Sequence, residues 1–258
     1  MLWEGGNNMF VFEKDKPVLC AMLQYNTPSL TIGAIRNGLA NGAEAFGLQV
    51  ESLEEEYKTE ENFKRMLDEM NGKPCYVTNY RSGSNVGKSD EVLAEEMLHL
   101  AQSGAHLCDV MGDMFCKHPQ ELTDNPEAIE KQIKYIDSLH EKGAQVLMSS
   151  HVLKFTPAEK VLEIAFEQKR RGADVIKIVT GACSMEEQIE NLRITNLLKN
   201  ELGAPFLFLS GGECSIHRRL GMKLGCALCL CVYEHYDGST PAQPILKIAK
   251  KVRDEMGF

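Results

Sequence analysis

The chain has 258 residues, of which 43% are hydrophobic and 25% are charged. This composition excludes a disordered, collagen-like or coiled-coil protein, and the length suffices to bury a core without disulfide or metal staples. The formal net charge of -9 argues against nucleic acid as a partner. No apolar run reaches the roughly 20 residues of a membrane helix, and the first residues lack the features of a signal peptide. With nine cysteines, an odd number, mostly in apolar runs, we expect a cytoplasmic protein with no membrane partner.

Apolar runs of strand length alternate along the chain with longer amphipathic stretches. The predicted strands are residues 18–23, 45–50, 75–79, 106–111, 145–150, 173–179, 205–210 and 226–233. The predicted helices are residues 29–41, 59–70, 91–102, 127–142, 157–171, 185–202, 215–224 and 241–255. Seven glycines follow helices where a left-handed cap is expected: Gly42, Gly72, Gly104, Gly143, Gly172, Gly203 and Gly225. Thr156-Pro157 and Thr240-Pro241 each predict an N-cap followed by a first-turn proline.

Eight strand-helix units with nearly continuous apolar strands indicate an α/β protein with a parallel sheet covered by helices. Eight units in this length favour a single (β/α)8 TIM barrel over residues 17–258; an open doubly wound sheet is the alternative. Residues 1–16 form a short N-terminal extension, either a small cap on the base of the barrel or a loose segment. A TIM barrel carries its active site at the carboxyl ends of its strands, so polar residues there are the functional candidates.

Lys177 lies within Asp-Val-Ile-Lys-Ile-Val, a run otherwise suited to a buried strand. A lysine that points into a barrel loses solvation, which favours the neutral amine, and a neutral amine can form a Schiff base with a ketone or aldehyde. The alternative is a lysine that reaches water from the edge of the strand. His151 closes the preceding predicted strand, so it would neighbour Lys177 in a barrel and could move the protons that imine chemistry requires.

Three residues near the last two strands are candidates for holding an anionic substrate. Arg218 follows Gly211-Gly-Glu-Cys-Ser-Ile-His after the seventh strand, and Ser239 and Gln243 follow the eighth. Arginine binds a carboxylate through two hydrogen bonds, which a hydroxyl and an amide can complete. Arg218 could instead be a solvated helix residue. We expect a small carboxylated keto substrate and no metal or cofactor.

The order of Ser-Ser-His151, Ile-Lys177, Arg218 and Ser239-Thr-Pro-Ala-Gln243 resembles type I 3-dehydroquinate dehydratase. The resemblance covers roughly residues 17–250 and is concentrated in the second half. It implies a Schiff base between Lys177 and the substrate ketone, with His151 as general acid and base. It also implies that Arg218, Ser239 and Gln243 hold the substrate carboxylate and that the protein is a homodimer.

The first half of the chain departs from the family. Gln49 stands where the family has the arginine of Glu-x-Arg on strand two, and Asn79 stands at the arginine position ending strand three. Arg81 is a candidate to replace one of these arginines after a shift of register. No carboxylate is identified that would orient His151, so we expect reduced or redirected activity. Gln49, Asn79 and Arg81 remain the candidates for substrate contacts on this side.

Two other functions compete with a dehydratase. The first is another Schiff-base barrel, an aldolase of the deoxyribose-phosphate type, which Gly-Ala-Asp-Val-Ile-Lys177 and Leu-Ser-Gly-Gly resemble. That family has a second lysine before Ser-Gly-Gly, where this chain has Phe208-Leu209. The second is a descendant of the dehydratase that binds a carboxylated ligand without catalysis.

Overall fold

A computed structural model describes residues 9–13, 16–212 and 216–257 of the chain. The strands are β1 Val18–Leu23, β2 Ala45–Gln49, β3 Cys75–Thr78, β4 Leu107–Met111, β5 Gln145–His151, β6 Val175–Ala182, β7 Phe206–Gly212 and β8 Leu228–Cys231. The helices are α1 Pro28–Ala40, α2 Glu60–Glu69, α3 Asp90–Gln102, α4 Pro126–Glu141, α5 Ala158–Arg170, α6 Met185–Glu201, α7 His217–Leu220 and α8 Leu246–Glu255. Short 3-10 turns follow β2, at Val50–Ser52 and Glu55–Tyr57, and β3, at Gly83–Asn85.

The eight strands form one parallel sheet in the order β7-β6-β5-β4-β3-β2-β1-β8. The pairing of β1 with β8 joins the first strand to the last, which an open doubly wound sheet does not do. At the remaining seam, the Ala227 amide donates to the Phe206 carbonyl over 2.8 Å. The predicted (β/α)8 TIM barrel is therefore confirmed as a nearly closed barrel with alternating helices, and the open-sheet alternative is wrong.

The helix ends follow the predicted chemistry in most places. All seven glycines predicted as caps have positive φ, between +61° at Gly203 and +113° at Gly225. A side chain at these positions would be strained, which explains why glycine ends so many of the helices. At the other end, Thr27, Thr59 and Ser89 accept hydrogen bonds from the first turns of α1, α2 and α3.

Two predicted helices near the end of the chain are wrong in extent. The last helix begins at Leu246 and not at Pro241, because Pro244 and Leu246 hydrogen-bond with Val232 just after β8 and extend the chain there. The helix predicted over 215–224 spans only His217–Leu220, and its predicted start at Ser215 lies outside the described residues. The predicted cap at Thr156 is wrong as well, since Pro157 itself occupies the N-cap position of α5.

The described part of the N-terminal extension packs on the base of the barrel. Phe10 is buried in the hydrophobic core and stacks on Phe12 with ring centroids 5.8 Å apart. Phe10 also shares a surface cavity with Val18, Glu44 and Pro74, which precede or begin the first three strands. Of the predicted extension over 1–16, residues 1–8, 14 and 15 lie outside the described residues. Within the described ranges, no helix combines the length and apolar character needed to cross a bilayer.

Candidate active site

Lys177 of β6 reaches across the interior of the barrel to a buried carboxylate. Its Nζ donates to Asp109 Oδ2 on β4 over 3.0 Å, and the two side chains are 6% and 0% exposed. Nζ also donates to the hydroxyls of Tyr76 and Tyr80, over 3.1 and 2.7 Å. All three N–H bonds of the ammonium thus have acceptors, so the buried charge is paired and the side chain does not reach water at the edge of the strand.

Asp109 accepts more hydrogen bonds than its partnership with Lys177 alone. Ser149 donates to its Oδ1 over 2.5 Å, and both Tyr76 and Tyr80 donate to its Oδ2. Burial raises the pKa of this carboxyl, but the positive charge of Lys177 and the three hydroxyl donors outweigh burial and lower it overall. Burial, followed by the negative charge of Asp109, raises the pKa values of both tyrosines well above their ordinary value. In the resting site, Lys177 and Asp109 therefore form an ion pair, and the phenols of the two tyrosines beside it are neutral.

His151 ends β5, the strand that pairs with β6. Ser149 is in register with Lys177, and His151 follows two residues later on the same face of β5. The predicted adjacency of the two strands is confirmed. The ring of His151 lies edge-on to Tyr80, with centroids 5.4 Å apart. Tyr80 therefore lies between the amine of Lys177 and the imidazole.

A carboxylate orients His151, contrary to the expectation from the sequence. Glu121 Oε2 lies 2.7 Å from His151 Nδ1 and also accepts from the backbone N–H of His151 over 2.7 Å. This glutamate comes from the long loop after β4. With Nδ1 held by Glu121, Nε2 is the nitrogen left for proton transfer. His151 therefore has the carboxylate partner whose lack led us to expect reduced activity.

The loop after β4 is shaped to deliver Glu121. Glu121 has φ +44°, a conformation that few residues other than glycine adopt. Its carbonyl oxygen accepts from Ser150 Oγ over 2.6 Å and would lie 2.4 Å from a Cβ at Gly112. Gly112 thus permits a close approach that any other residue would block. The strain at Glu121 is held by these contacts, as is common at functional sites.

The residues predicted to hold a carboxylate lie on the loops after β7 and β8. Arg218 is partly exposed, its Nε donates to the Ser210 carbonyl over 3.2 Å, and burial lowers its pKa. No carboxylate among the described residues lies within ion-pair distance of this guanidinium. Gln243 is buried and its Oε1 has no hydrogen-bond partner. Ser239 Oγ is engaged within its own turn, donating to the Tyr236 carbonyl over 2.8 Å.

The loop after β8 is tied to the first two strands. Gln24, just after β1, donates to Gln49 Oε1 over 2.6 Å and to Thr240 Oγ1 over 2.9 Å. Gln49, the last residue of β2, therefore lies at the barrel mouth. Gly47 lies two residues before Gln49 on the same face of β2. A Cβ added to Gly47 would lie 2.3 Å from the sulfur of Met22. Apolar side chains thus fill the space at this deeper position of β2.

The two remaining candidates from the sequence are engaged elsewhere. Asn79 donates to the Leu93 carbonyl and to Glu96 of α3, so its side chain faces the helices and not the barrel interior. Tyr80, the next residue, faces the interior instead. Arg81 forms ion pairs with Asp90 and Asp113, each over 2.7 Å, and these carboxylates, outweighing burial, raise its pKa. Its guanidinium is satisfied within the protein.

Comparisons with known proteins identify the family of this chain. The family model for type I 3-dehydroquinase matches residues 19–257. The chain belongs to the type I 3-dehydroquinase family. A curated relative, the 3-dehydroquinate dehydratase of Clostridium kluyveri, is 27% identical over 168 residues, which cover 64% of this chain and 62% of the relative's length.

Solved structures of this dehydroquinase family share the fold. A 3-dehydroquinate dehydratase from Geobacillus kaustophilus has a TM-score of 0.80 at 16% identity, over 93% of this chain and 91% of its own. A type I enzyme from Clostridium difficile has a TM-score of 0.79 at 18% identity, over 95% of this chain and 94% of its own.

Several site residues of this dehydroquinase family member were missed by reasoning from the sequence. Asp109 carried the same signal as Lys177, a charged residue inside an apolar strand, and could have been identified by that signal. Tyr76 and Tyr80 gave little signal, because aromatic residues are ordinary in strands. Glu121 gave none, since its position depends on the path of a loop.

Proposed function

We propose that this chain is a lyase that dehydrates a cyclic β-hydroxy keto acid through a Schiff base on Lys177, with His151 as general acid and base. The observation that carries the proposal is the paired, buried amine of Lys177 on the strand next to the one that ends at His151. The reaction of a ketone with an amine needs no cofactor. The proposed substrate is a small carboxylated ketone of the 3-dehydroquinate type.

Asp109 supports the covalent step as a counter-ion. The imine forms when the amine of Lys177 attacks the ketone and the carbonyl oxygen leaves as water. The resulting iminium keeps a positive charge on Nζ, 3.0 Å from Asp109 Oδ2 in the resting site. A carboxylate held in place by Ser149 and Tyr76 stabilises this cation without moving. The iminium then withdraws electrons from the neighbouring C–H bond and acidifies it.

His151 completes the elimination in this proposal. Its Nε2 takes the proton from the acidified carbon, and the electron pair moves through the new C=C bond to expel the β-hydroxyl group. The same nitrogen returns its proton to that hydroxyl, which leaves as water. Hydrolysis of the conjugated imine then releases the enone and restores the amine. Glu121 stabilises the imidazolium that forms in between, through its contact with Nδ1.

The substrate carboxylate is proposed to bind Arg218, a partly exposed cation that has no carboxylate partner in the described ranges. Ser239 and Gln243 lie on the neighbouring loop, and Gln49 offers its amide to the far side of the ring. Asn79 and Arg81, whose polar groups are already bonded to α3 and to two aspartates, are assigned no substrate contact. Of the three candidates for substrate contacts in the first half of the chain, only Gln49 is therefore kept.

A non-catalytic binding protein is the second candidate. The observation in its favour is that every N–H of Lys177 already has an acceptor, so the resting amine is not free to attack. An aldolase of the deoxyribose-phosphate type requires a second lysine near the end of β7, where the chain has Phe208 and Leu209. The dehydratase and the binding protein predict different chemistry at Lys177.

Reductive trapping separates these candidates. The protein is incubated with 3-dehydroquinate, reduced with borohydride, digested and analysed by mass spectrometry. We expect an adduct on Lys177 that is absent in Lys177→Met, with enone absorbance before reduction. A Lys154→Met variant, which changes an exposed lysine after β5, serves as the matched control and should keep the adduct. A ligand-induced rise in melting temperature without any adduct would overturn the dehydratase in favour of the binding protein.

A further inference from the structure

Tyr80 occupies a position in the site that the reaction outlined above does not yet use. Its hydroxyl accepts from Lys177 Nζ over 2.7 Å and donates to Asp109 Oδ2 over 2.5 Å. It follows the end of β3 and is partly exposed, whereas Tyr76 lies deeper, is fully buried and is 3.1 Å from the same nitrogen. A ketone that enters from the barrel mouth would therefore meet the Tyr80 hydroxyl before that of Tyr76.

Imine formation requires a group that touches both the amine and the carbonyl oxygen. The ammonium begins with three protons and the protonated imine keeps one, so two protons must pass to the carbonyl oxygen, which departs as water. In the intermediate carbinolamine, that oxygen and Nζ are bonded to the same carbon. A hydroxyl 2.7 Å from Nζ is therefore within reach of both atoms.

We propose that Tyr80 is a catalytic residue for imine formation and hydrolysis, and that its hydroxyl relays protons from Lys177 Nζ to the departing carbonyl oxygen. This inference rests on the proposed Schiff-base function. In each transfer the phenol gives its own proton to the oxygen and receives one from Nζ, so no net charge develops on the ring. His151 is then reserved for the C–H bond and the β-hydroxyl group.

The surrounding contacts allow Tyr80 to turn from Asp109 to a substrate. Asp109 keeps the hydroxyls of Tyr76 and Ser149, and the Lys177 nitrogen, when one donor leaves. The edge-on contact with His151 holds the Tyr80 ring at the mouth. Burial and the charge of Asp109 raise the pKa of Tyr80, so a free tyrosinate is disfavoured and the two transfers must be concerted.

The test compares Tyr80→Phe with Tyr76→Phe, two variants that each remove one hydroxyl from the same carboxylate oxygen. The time course of adduct formation with 3-dehydroquinate is measured by rapid mixing and borohydride quenching. Tyr80→Phe should slow adduct formation at least about tenfold at saturating probe, with the final adduct yield unchanged. Tyr76→Phe, which removes a hydrogen bond to Lys177 and Asp109 but no relay group, should slow adduct formation at least about threefold less than Tyr80→Phe does. Thermal unfolding checks that both variants fold.

The outcomes are distinct from those of the proposed function. Adduct formation at the wild-type rate in Tyr80→Phe, or equal slowing in both variants, would overturn the relay while leaving the Schiff base intact. No adduct in the wild type would overturn the proposed function and this inference with it. If Tyr80→Phe does not fold, a fluorinated tyrosine at position 80 keeps the shape and makes the hydroxyl more acidic. An unchanged rate of adduct formation with that residue would also refute the relay.

Discussion

The buried pair of Lys177 and Asp109 permits a quantitative test of the site. Asp109→Asn removes the negative charge with little change in shape. At the 3.0 Å separation of Nζ and Oδ2, an effective dielectric constant of about 20 gives an attraction of about 5 kcal/mol. Because both side chains are buried, loss of one partner leaves an uncompensated charge. We expect the free energy of unfolding at pH 7 to fall by about 3–5 kcal/mol.

The assay is urea unfolding of four proteins: the wild type, Asp109→Asn, Lys177→Met and the double variant. The double variant should cost less than the sum of the single variants by about 2–3 kcal/mol, since it removes both charges together. The pKa of Asp109 is lower in the folded protein than in the unfolded chain. The stability that the charged Asp109 provides is therefore fully present above the unfolded-state pKa of about 3.9, and it is lost as the pH falls through the pKa of the folded state. If the losses of unfolding free energy in the two single variants add up to that of the double variant within about 0.5 kcal/mol, the pairing of Lys177 with Asp109 is refuted.

Three further predictions address the flanking residues. Glu121→Gln should lower kcat for 3-dehydroquinate by about 100-fold while the adduct still forms, because His151 loses its charged partner; an unchanged kcat would contradict this role. Arg218→Met should raise KM about 10- to 100-fold, and Arg219→Met, at an exposed neighbour, should not; equal effects would rule out a specific carboxylate contact. The buried ring of His217 has its pKa lowered from 6.5 to about 4, so the unfolded chain takes up the proton first. The stability that depends on a neutral His217 should therefore be fully present above pH 6.5, and the free energy of unfolding should fall by about 3 kcal/mol towards pH 4. Urea unfolding of His217→Asn should not show this loss.

The sequence carried enough information to predict the barrel and to place Lys177 on the strand next to the one that ends at His151. Strand and helix periods, with glycines at the helix ends, were sufficient for the eight units. Lys177 and His151 stood out because a buried strand has no packing reason to hold a charged or titratable side chain. The same reasoning, applied to the fourth strand, would have identified Asp109. Solvation cost is a local property, so it can be read from a local pattern.

Residues at strand ends were harder to predict, because successive side chains of a strand point to opposite faces. An error of one residue therefore puts the wrong side chain in the barrel interior. The family resemblance predicted Asn79 as a site residue, but β3 ends at Thr78, and Tyr80 is the residue that faces the interior. Shifting the register by one residue turns a side chain from the barrel to the helices. The last helix begins later than Pro241 for a different reason. Pro244 and Leu246 form hydrogen bonds with Val232, which the local sequence pattern does not predict.

The position of Glu121 shows how a neighbouring loop can orient a histidine at the end of a barrel strand. In a barrel every strand ends at the same rim, and the loop after β4 lies beside β5, which carries His151. A carboxylate can therefore reach the imidazole from more than one loop, provided that the backbone permits the approach, as Gly112 does here. The lack of a recognisable carboxylate partner in the sequence is then weak evidence against an oriented histidine. Loss of function in such a barrel has to be argued from contacts, because the same contact can be rebuilt from another part of the chain.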